Sequence, residues 1–230
     1  MKKNILFATM LAMAAPFVLT SCSDDESEGK SRITYYAILE MNGDAYVSTP
    51  VGQAFADPGC VATMAGEDVS DQIVTTSNIN TNACGFYTVN YSVVNPDGFA
   101  ASATRNVAVV DKNNFASAYW GESQFGARHY FNSPITIRDR GDGTYLINDL
   151  AGGFYSYGRY PGYDAYGYDF FLEAVLKLNA DNTIEVVAQG DWYWGDPFED
   201  IKGVYDPATG TITLDMDFGS SSRFYVTLTK

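Results

Sequence analysis

From Arg32 to Lys230, apolar residues recur at alternate positions, and clusters of Gly, Pro, Asn and Asp interrupt them at short intervals. Successive side chains of a strand point to opposite faces, so this pattern predicts half-buried strands joined by turns. Residues 84–93 show it most clearly. Phe86, Thr88, Asn90 and Ser92 fall on one face; Tyr87, Val89, Tyr91 and Val93 fall on the other. Helix signals are scarce, and the chain is expected to be all-β. Its 230 residues suffice for one or two domains of roughly 100–200 residues each. With 46% hydrophobic and 18% charged residues, it can pack a core.

Residues 32–111 read as a first domain. Short strands are expected at 46–52, at 60–62 after a turn at Asp57-Pro58-Gly59, at 68–75, at 84–93 and at 99–110, with Pro50 on an edge and Val107 and Val109 sharing a face. Asn95-Pro96-Asp97-Gly98 is a turn by composition. Asp57-Pro58-Gly59, Asp71-Gln72-Ile73, Gly85-Phe86-Tyr87-Thr88-Val89-Asn90-Tyr91 and Asn95-Pro96-Asp97-Gly98-Phe99-Ala100 together resemble the bacterial immunoglobulin-like domains of surface adhesins and Cry-type toxins. Cys84 stands where that family usually has proline, and Phe99 where it has Asn. The resemblance implies an Ig-like β-sandwich acting as a spacer.

Asp111-Lys112-Asn113-Asn114 reads as a junction, and residues 112–230 as a second domain. Strands are expected at 117–125, 134–138, 144–149, 168–178, 183–189, 201–205, 211–218 and 223–229. About eight strands suit a closed antiparallel β-barrel or a sandwich. The order of elements, and the stretch 143–155 in particular, resembles the lipocalin-like C-terminal domains of outer-membrane lipoproteins that accompany Sus-type glycan-uptake systems.

Residues 1–21 read as an export signal: Lys2 and Lys3, then an apolar run too short to span a bilayer. Leu19-Thr20-Ser21-Cys22 resembles the bacterial lipobox, which implies acylation of Cys22 and cleavage before it. The alternative is an ordinary secretory signal followed by a chance cysteine. Residues 22–31 form an acidic tether, and Ser23-Asp24-Asp25-Glu26-Ser27-Glu28 resembles the export signal of Bacteroidetes-type surface lipoproteins. The resemblance implies a lipid-anchored, outward-facing outer-membrane protein.

Charge and composition exclude several functions. Acidic residues number 28 against 14 basic ones, for a net charge of −14, so nucleic acid is excluded as a partner. The single histidine, His129, rules out a metal site with two imidazoles, and no metal or cofactor is expected. His129 itself reads as a surface or satisfied core residue. With Cys22 acylated, Cys60 and Cys84 remain. An oxidising compartment favours a disulfide between them over two buried thiols.

Two aromatic knots carry the binding signal. Nine of the 18 residues 154–171 are aromatic, and Gly158, Pro161, Gly162 and Gly167 push the middle of the segment out of a sheet. The second knot is Asp191-Trp192-Tyr193-Trp194, before a turn at Gly195-Asp196-Pro197; in a strand its tryptophans would share a face. Tyr157, Tyr160, Tyr163, Tyr166, Trp192 and Trp194 are therefore candidates for stacking on sugar rings, with neighbouring carboxylates such as Asp164 and Asp169 bonding hydroxyls. The alternative is a tyrosine cluster that closes one end of the barrel. Asp191, Asp196, Glu199, Asp200, Glu122 and Asp164 are acids without a catalytic motif around them, and no catalytic residue is assigned. Arg140-Gly141-Asp142 reads as a hairpin turn. The leading expectation is a non-enzymatic surface lipoprotein that binds polysaccharide during uptake. One alternative is a structural or assembly lipoprotein docking an outer-membrane transporter or another surface protein; the other is a glycoside hydrolase.

Overall fold

The computed structural model describes residues 33–195, 198–219 and 222–230. The expected export signal and tether, with Cys22, and Asp196 and Pro197 of the expected turn lie outside the described residues. Residues Tyr36–Lys230 form one unit. Its strands are β1 (Ile38–Met41), β2 (Tyr46–Pro50), β3 (Cys60–Met64), β4 (Glu67–Asp68), β5 (Val74–Ser77), β6 (Gly85–Val94), β7 (Ala100–Val110), β8 (Ala118–Phe125), β9 (Arg128–Asp139), β10 (Tyr145–Ile147), β11 (Ala174–Leu178), β12 (Thr183–Gln189), β13 (Glu199–Asp206), β14 (Thr211–Asp217) and β15 (Arg223–Thr229). The fold is all-β, with an Ig-like part followed by a closed eight-stranded antiparallel barrel.

The Ig-like part packs a sheet of order β1-β3-β4 against one of order β2-β7-β6-β5. Pro50 lies on the edge strand β2, which pairs with β7 in parallel. The alternation in β6 holds: Val89, Tyr91 and Val93 are buried and Asn90 is exposed. Alternation stops at the end of β7, where Val107, Ala108, Val109 and Val110 are all buried. Val107 packs into the sandwich, while Ala108 and Val110 pack with Ala118, Phe86 and Trp120 on the barrel side. The expected strand at 68–75 is broken. Asp68 accepts the Ser70 N–H at 2.8 Å, and Ser70 Oγ accepts the Ala62 N–H at 2.9 Å, so local side-chain bonds turn the chain from one sheet to the other.

The expected disulfide does not form; Cys60 and Cys84 are free thiols. Cys60 follows Gly59, whose carbonyl takes the Arg105 guanidinium. Cys84 precedes Gly85, which pairs with Val109. Cys60 thus opens β3 of one sheet, while Cys84 precedes β6 of the other.

Arg105 organises the sandwich. It is fully buried, lies 3.1 Å from Asp57 and donates to the carbonyls of Asn42, Asp44 and Gly59. Tyr91 Oη donates to Asp57 at 2.6 Å. The acidic residue of the Asp57-Pro58-Gly59 turn is thus the counter-ion of a buried arginine.

The barrel strands follow one another in sequence around the wall, and β15 closes on β8, from Phe224↔Phe125 to Thr229↔Trp120. All neighbours are antiparallel, so connections alternate between ends. The β8–β9, β10–β11, β12–β13 and β14–β15 connections emerge at one end. The other end carries the remaining connections and adjoins the Ig-like part through Trp120, whose ring meets Tyr46 at 5.4 Å and Phe86 at 4.9 Å. The interior holds Tyr119, Ile135, Ile147, Leu176, Ile212, Leu214, Met216, Phe224, Val226 and Leu228, all essentially inaccessible to solvent. The strand expected at 168–178 begins only at Ala174, because residues 168–173 cross the barrel mouth.

Arg105→Leu should destabilise the chain by roughly 3–5 kcal/mol, because it leaves Asp57 without its counter-ion and three carbonyls without donors. The measurement is the urea midpoint; a shift worth under about 1 kcal/mol would contradict this role.

Candidate functional site

The barrel end remote from the Ig-like part is built from the long β10–β11 segment and the β12–β13 connection. The base of the β10–β11 segment enters the barrel mouth. Gly152 approaches so closely that a Cβ on it would lie 2.6 Å from Val226 Cγ1; one on Gly153 would lie 2.2 Å from Ser133 Cβ. Both residues also have positive φ, so glycine is required twice over. Asp149, fully buried, holds this entrance. One carboxylate oxygen accepts the N–H groups of Ala151 and Leu172 at 3.0 and 3.3 Å; the other accepts that of Gly153 at 3.1 Å. One side chain thereby fastens both ends of the segment. Burial pushes its pKa up to about 7, against the three N–H donors that favour the charged form.

Beyond Gly153 the chain makes a wide turn at Phe154–Arg159 with i→i+5 bonds, Gly158 N to Gly153 O and Tyr160 N to Tyr155 O. Phe154 and Tyr155 point inward and are buried, and Tyr157 and Arg159 face out. A 3-10 turn follows at Tyr163–Tyr166. Phe170 returns to the surface cluster as its hub: it is buried, and its ring centroid lies 5.0 Å from Tyr160, 6.0 Å from Tyr168, 4.8 Å from Tyr193 and 5.9 Å from Trp194.

The candidate rings separate. Tyr157, Tyr163, Tyr166 and Trp194 are exposed, Tyr166 at 79%, and Tyr160 is half-buried beneath them. Trp192 is a correction: it is buried at 8% exposure, packs on Phe198 and Phe218, and donates Nε1–H to the Phe170 carbonyl at 3.0 Å. Residues 191–195 are not a strand. Gly195 N bonds Trp192 O at 2.9 Å, and this tight turn sends the two tryptophans in different directions. Tyr168 and Tyr193, both exposed, join the cluster, although the strand expected at 168–178 and the facing assigned to Tyr193 left them out. The cue was their place within the same two aromatic knots.

Two open clefts run between the rings. One, with about 470 Å³ of free space including its mouth, is lined by Tyr157, Tyr160, Tyr168, Phe170, Phe171 and Asp164. The other, about 740 Å³, is lined by Tyr157 and Phe171 with Asn148, Asp169, Glu173 and Asp191. Burial raises the Tyr157 hydroxyl pKa, with Asp149 and Asp164 adding to the shift, so it stays a neutral donor. Among the described residues, no group of three or more His, Cys, Asp or Glu is placed to hold a metal ion. Of the remaining candidates, His129 lies on the barrel wall bonded to Glu122 at 2.7 Å, and Arg140-Gly141-Asp142 occupies the β9–β10 turn, at the opposite end.

The Ig-like part is of a recognised class: residues 39–109 match the model of a bacterial surface protein Ig-like domain. Residues 76–230, more than half of the chain, match the model of the BT2262-like C-terminal domain, and the chain belongs to that family. Among solved structures, the lipoprotein BT2262 from Bacteroides thetaiotaomicron is similar at 28% identity with a TM-score of 0.54, over 85% of this chain and 100% of that one. The CBM51-2 and INT domains of Clostridium perfringens ZmpB, solved with GlcNAc, align at 12% identity and TM-score 0.30, over 84% of this chain and 43% of that one. The ZmpB M60 catalytic domain with CBM51-1 and CBM51-2 aligns at 12% and 0.29, over 85% and 21%. Likenesses that small carry no argument. No curated protein matches.

Because the folded pKa of Asp149 is raised, the native state holds its proton above the pH at which the unfolded chain releases it. Its contribution to stability is therefore fully present below about pH 4 and is lost as pH rises toward 7, by up to about 1.4 kcal/mol per pH unit. The aspartates with lowered pKa values, Asp68, Asp142, Asp181, Asp200 and Asp206, act below that window. Urea midpoints between pH 4.5 and 7.5 should fall for the wild type, and this component should be missing in Asp149→Asn.

Proposed function

We propose that this chain is a lipid-anchored protein of the bacterial outer surface that binds carbohydrate at the loop end of its barrel and does not cleave it. The observation that carries this reading is the interlocked cluster around Phe170, which presents Tyr157, Tyr163, Tyr166, Tyr168, Tyr193 and Trp194 to solvent. Flat rings stack on the apolar faces of pyranoses, and Asp164, Asp169, Glu173 and Asp191 between them can accept bonds from ring hydroxyls. Packing against Phe170 holds Tyr163, Tyr168, Tyr193 and Trp194 in place, and Phe171 holds Tyr157, which lowers the entropy lost on binding.

Acylated Cys22 and the acidic tether would fix residues 32–111 to the outer membrane as a spacer, with residues 112–230 carrying the binding end outward. The meander order of the barrel suits the lipocalin-like reading, and a place beside a Sus-type transporter suits a glycan binder. An exposed aromatic patch also suits a protein partner. In that second reading the ring substitutions described next would weaken docking to an outer-membrane protein, with no affinity for any glycan.

Affinity electrophoresis against a polysaccharide panel tests the proposal. Tyr166→Ala should weaken retardation by about 1 kcal/mol with the unfolding midpoint unchanged, and Trp194→Ala should weaken it similarly while lowering the midpoint, because its ring packs on Tyr155, Phe170 and Tyr193. Trp192→Ala should instead unfold the barrel end, at a cost of roughly 3–5 kcal/mol. Wild-type mobility unaffected by every polysaccharide would refute glycan binding. The anchor is tested separately: Cys22→Ala should abolish acylation, and a variant that still partitions with detergent-phase lipoproteins would refute it.

A further inference from the structure

A third cleft continues the groove. It holds about 570 Å³ and is lined by Arg128, Arg159, Tyr155, Tyr160 and Trp194. Tyr160 is shared with the central cleft, and Tyr157 is shared between the central and the acidic cleft. The three clefts thus adjoin at shared rings, with four carboxylates lining the central and acidic clefts and two guanidinium groups lining the third.

The arginines are unusual in their surroundings. Acids outnumber bases 28 to 14 in this chain, and Arg105, Arg140 and Arg223 each have an aspartate partner. Neither Arg128 nor Arg159 forms an ion pair among the described residues. Arg159 is instead held by tyrosine: its Nε donates to Tyr160 Oη at 3.0 Å, and its guanidinium carbon lies 5.2 Å from the centre of that ring. This contact, with Tyr130 as a further hydrogen-bond partner, fixes the plane of the guanidinium beside the cleft. A guanidinium held in this way, with Arg128 and Trp194 lining the same cleft, matches an anionic group on a sugar ring: the anion takes paired N–H bonds while the sugar packs on Trp194.

We infer that the groove is directional, an inference that rests on the carbohydrate reading. It takes an oligosaccharide with one anionic substituent at one end, seated against Arg128 and Arg159. Neutral units run past Tyr160 and Tyr157 to the acid-lined end. A chain charged on every unit is disfavoured, because Asp164, Asp169, Glu173 and Asp191 repel it along the rest of the path.

The test uses the mature chain in detergent, titrated with matched probes and followed by tryptophan fluorescence. The probes are oligosaccharides tipped with glucuronic acid, the same oligosaccharides after carboxyl reduction, and sulfate-tipped counterparts. One anionic form should bind about tenfold tighter than the reduced form at low salt, and the gap should narrow as salt is added. Whether carboxylate or sulfate shows the gap identifies the anion. The Arg128→Gln/Arg159→Gln variant should bring that probe down to the affinity of the reduced one. Both side chains are exposed, and an unchanged unfolding midpoint checks that the variant is folded. Equal affinity for all three probe types would overturn the directional groove and leave carbohydrate binding standing. A gap that survives in the double variant would overturn the arginine assignment. No binding of any probe would overturn both readings.

Discussion

The loop end of this barrel depends on how the β10–β11 segment is fastened. A long, glycine-rich, tyrosine-rich connection would ordinarily lose too much conformational entropy to present a fixed surface. Here Gly152 and Gly153 pass between side chains of β15 and β9 at distances that admit no Cβ, and Asp149 ties the outgoing strand to Leu172 on the return. The Trp192 indole then bonds the Phe170 carbonyl, joining the second loop to the first. Ordering comes from inside the barrel, and the exposed rings inherit it. Phe170 is where the two meet, since its backbone is held from within and its ring carries the outer cluster.

A second constraint lies at the junction. The four consecutive buried residues from Val107 to Val110 mark the place where one strand is covered on both faces, by the sandwich core on one and by Ala118 and Trp120 on the other. The linker after it is short and bonded: Asp111 N donates to Ser117 Oγ at 2.9 Å, and Lys230 Nζ donates to the Asn114 carbonyl at 2.7 Å. The last residue of the chain thus fastens the passage from sandwich to barrel.

Much of this was legible in the sequence because strand alternation is a local signal. The strands expected at 183–189 and 223–229 coincide with β12 and β15, and the Gly and Pro content of residues 154–168 marks them as non-sheet, as the structure has them. The failures share a cause: long-range partners override local pattern. Trp192 and Trp194 look equivalent in sequence, yet a turn closed by Gly195 sends one inward and one outward. Cys60 and Cys84 look like a pair in an oxidising compartment, yet they enter strands of different sheets and are free thiols. Asp149 looked like the end of a strand. Its role follows from three N–H groups that only the folded chain brings to it.

The filled interior decides where recognition can occur. Eight-stranded meander barrels can enclose a ligand when their lumen is open. Here Phe115 plugs the end near the Ig-like part, with rings at 4.8 Å from Tyr145 and 5.2 Å from Tyr205, and Leu150, Phe154 and Trp192 fill the other. The apolar residues that would line a cavity are spent on holding the loop. Recognition is displaced to the rim, where a rigid scaffold can carry variable side chains on its connections. That arrangement suits a long ligand crossing the end of the barrel. A small molecule would need a closed pocket around it, whereas an oligosaccharide needs a row of faces and hydrogen-bonding groups; in the carbohydrate reading proposed above, the rings and carboxylates that line the adjoining clefts at this end supply them.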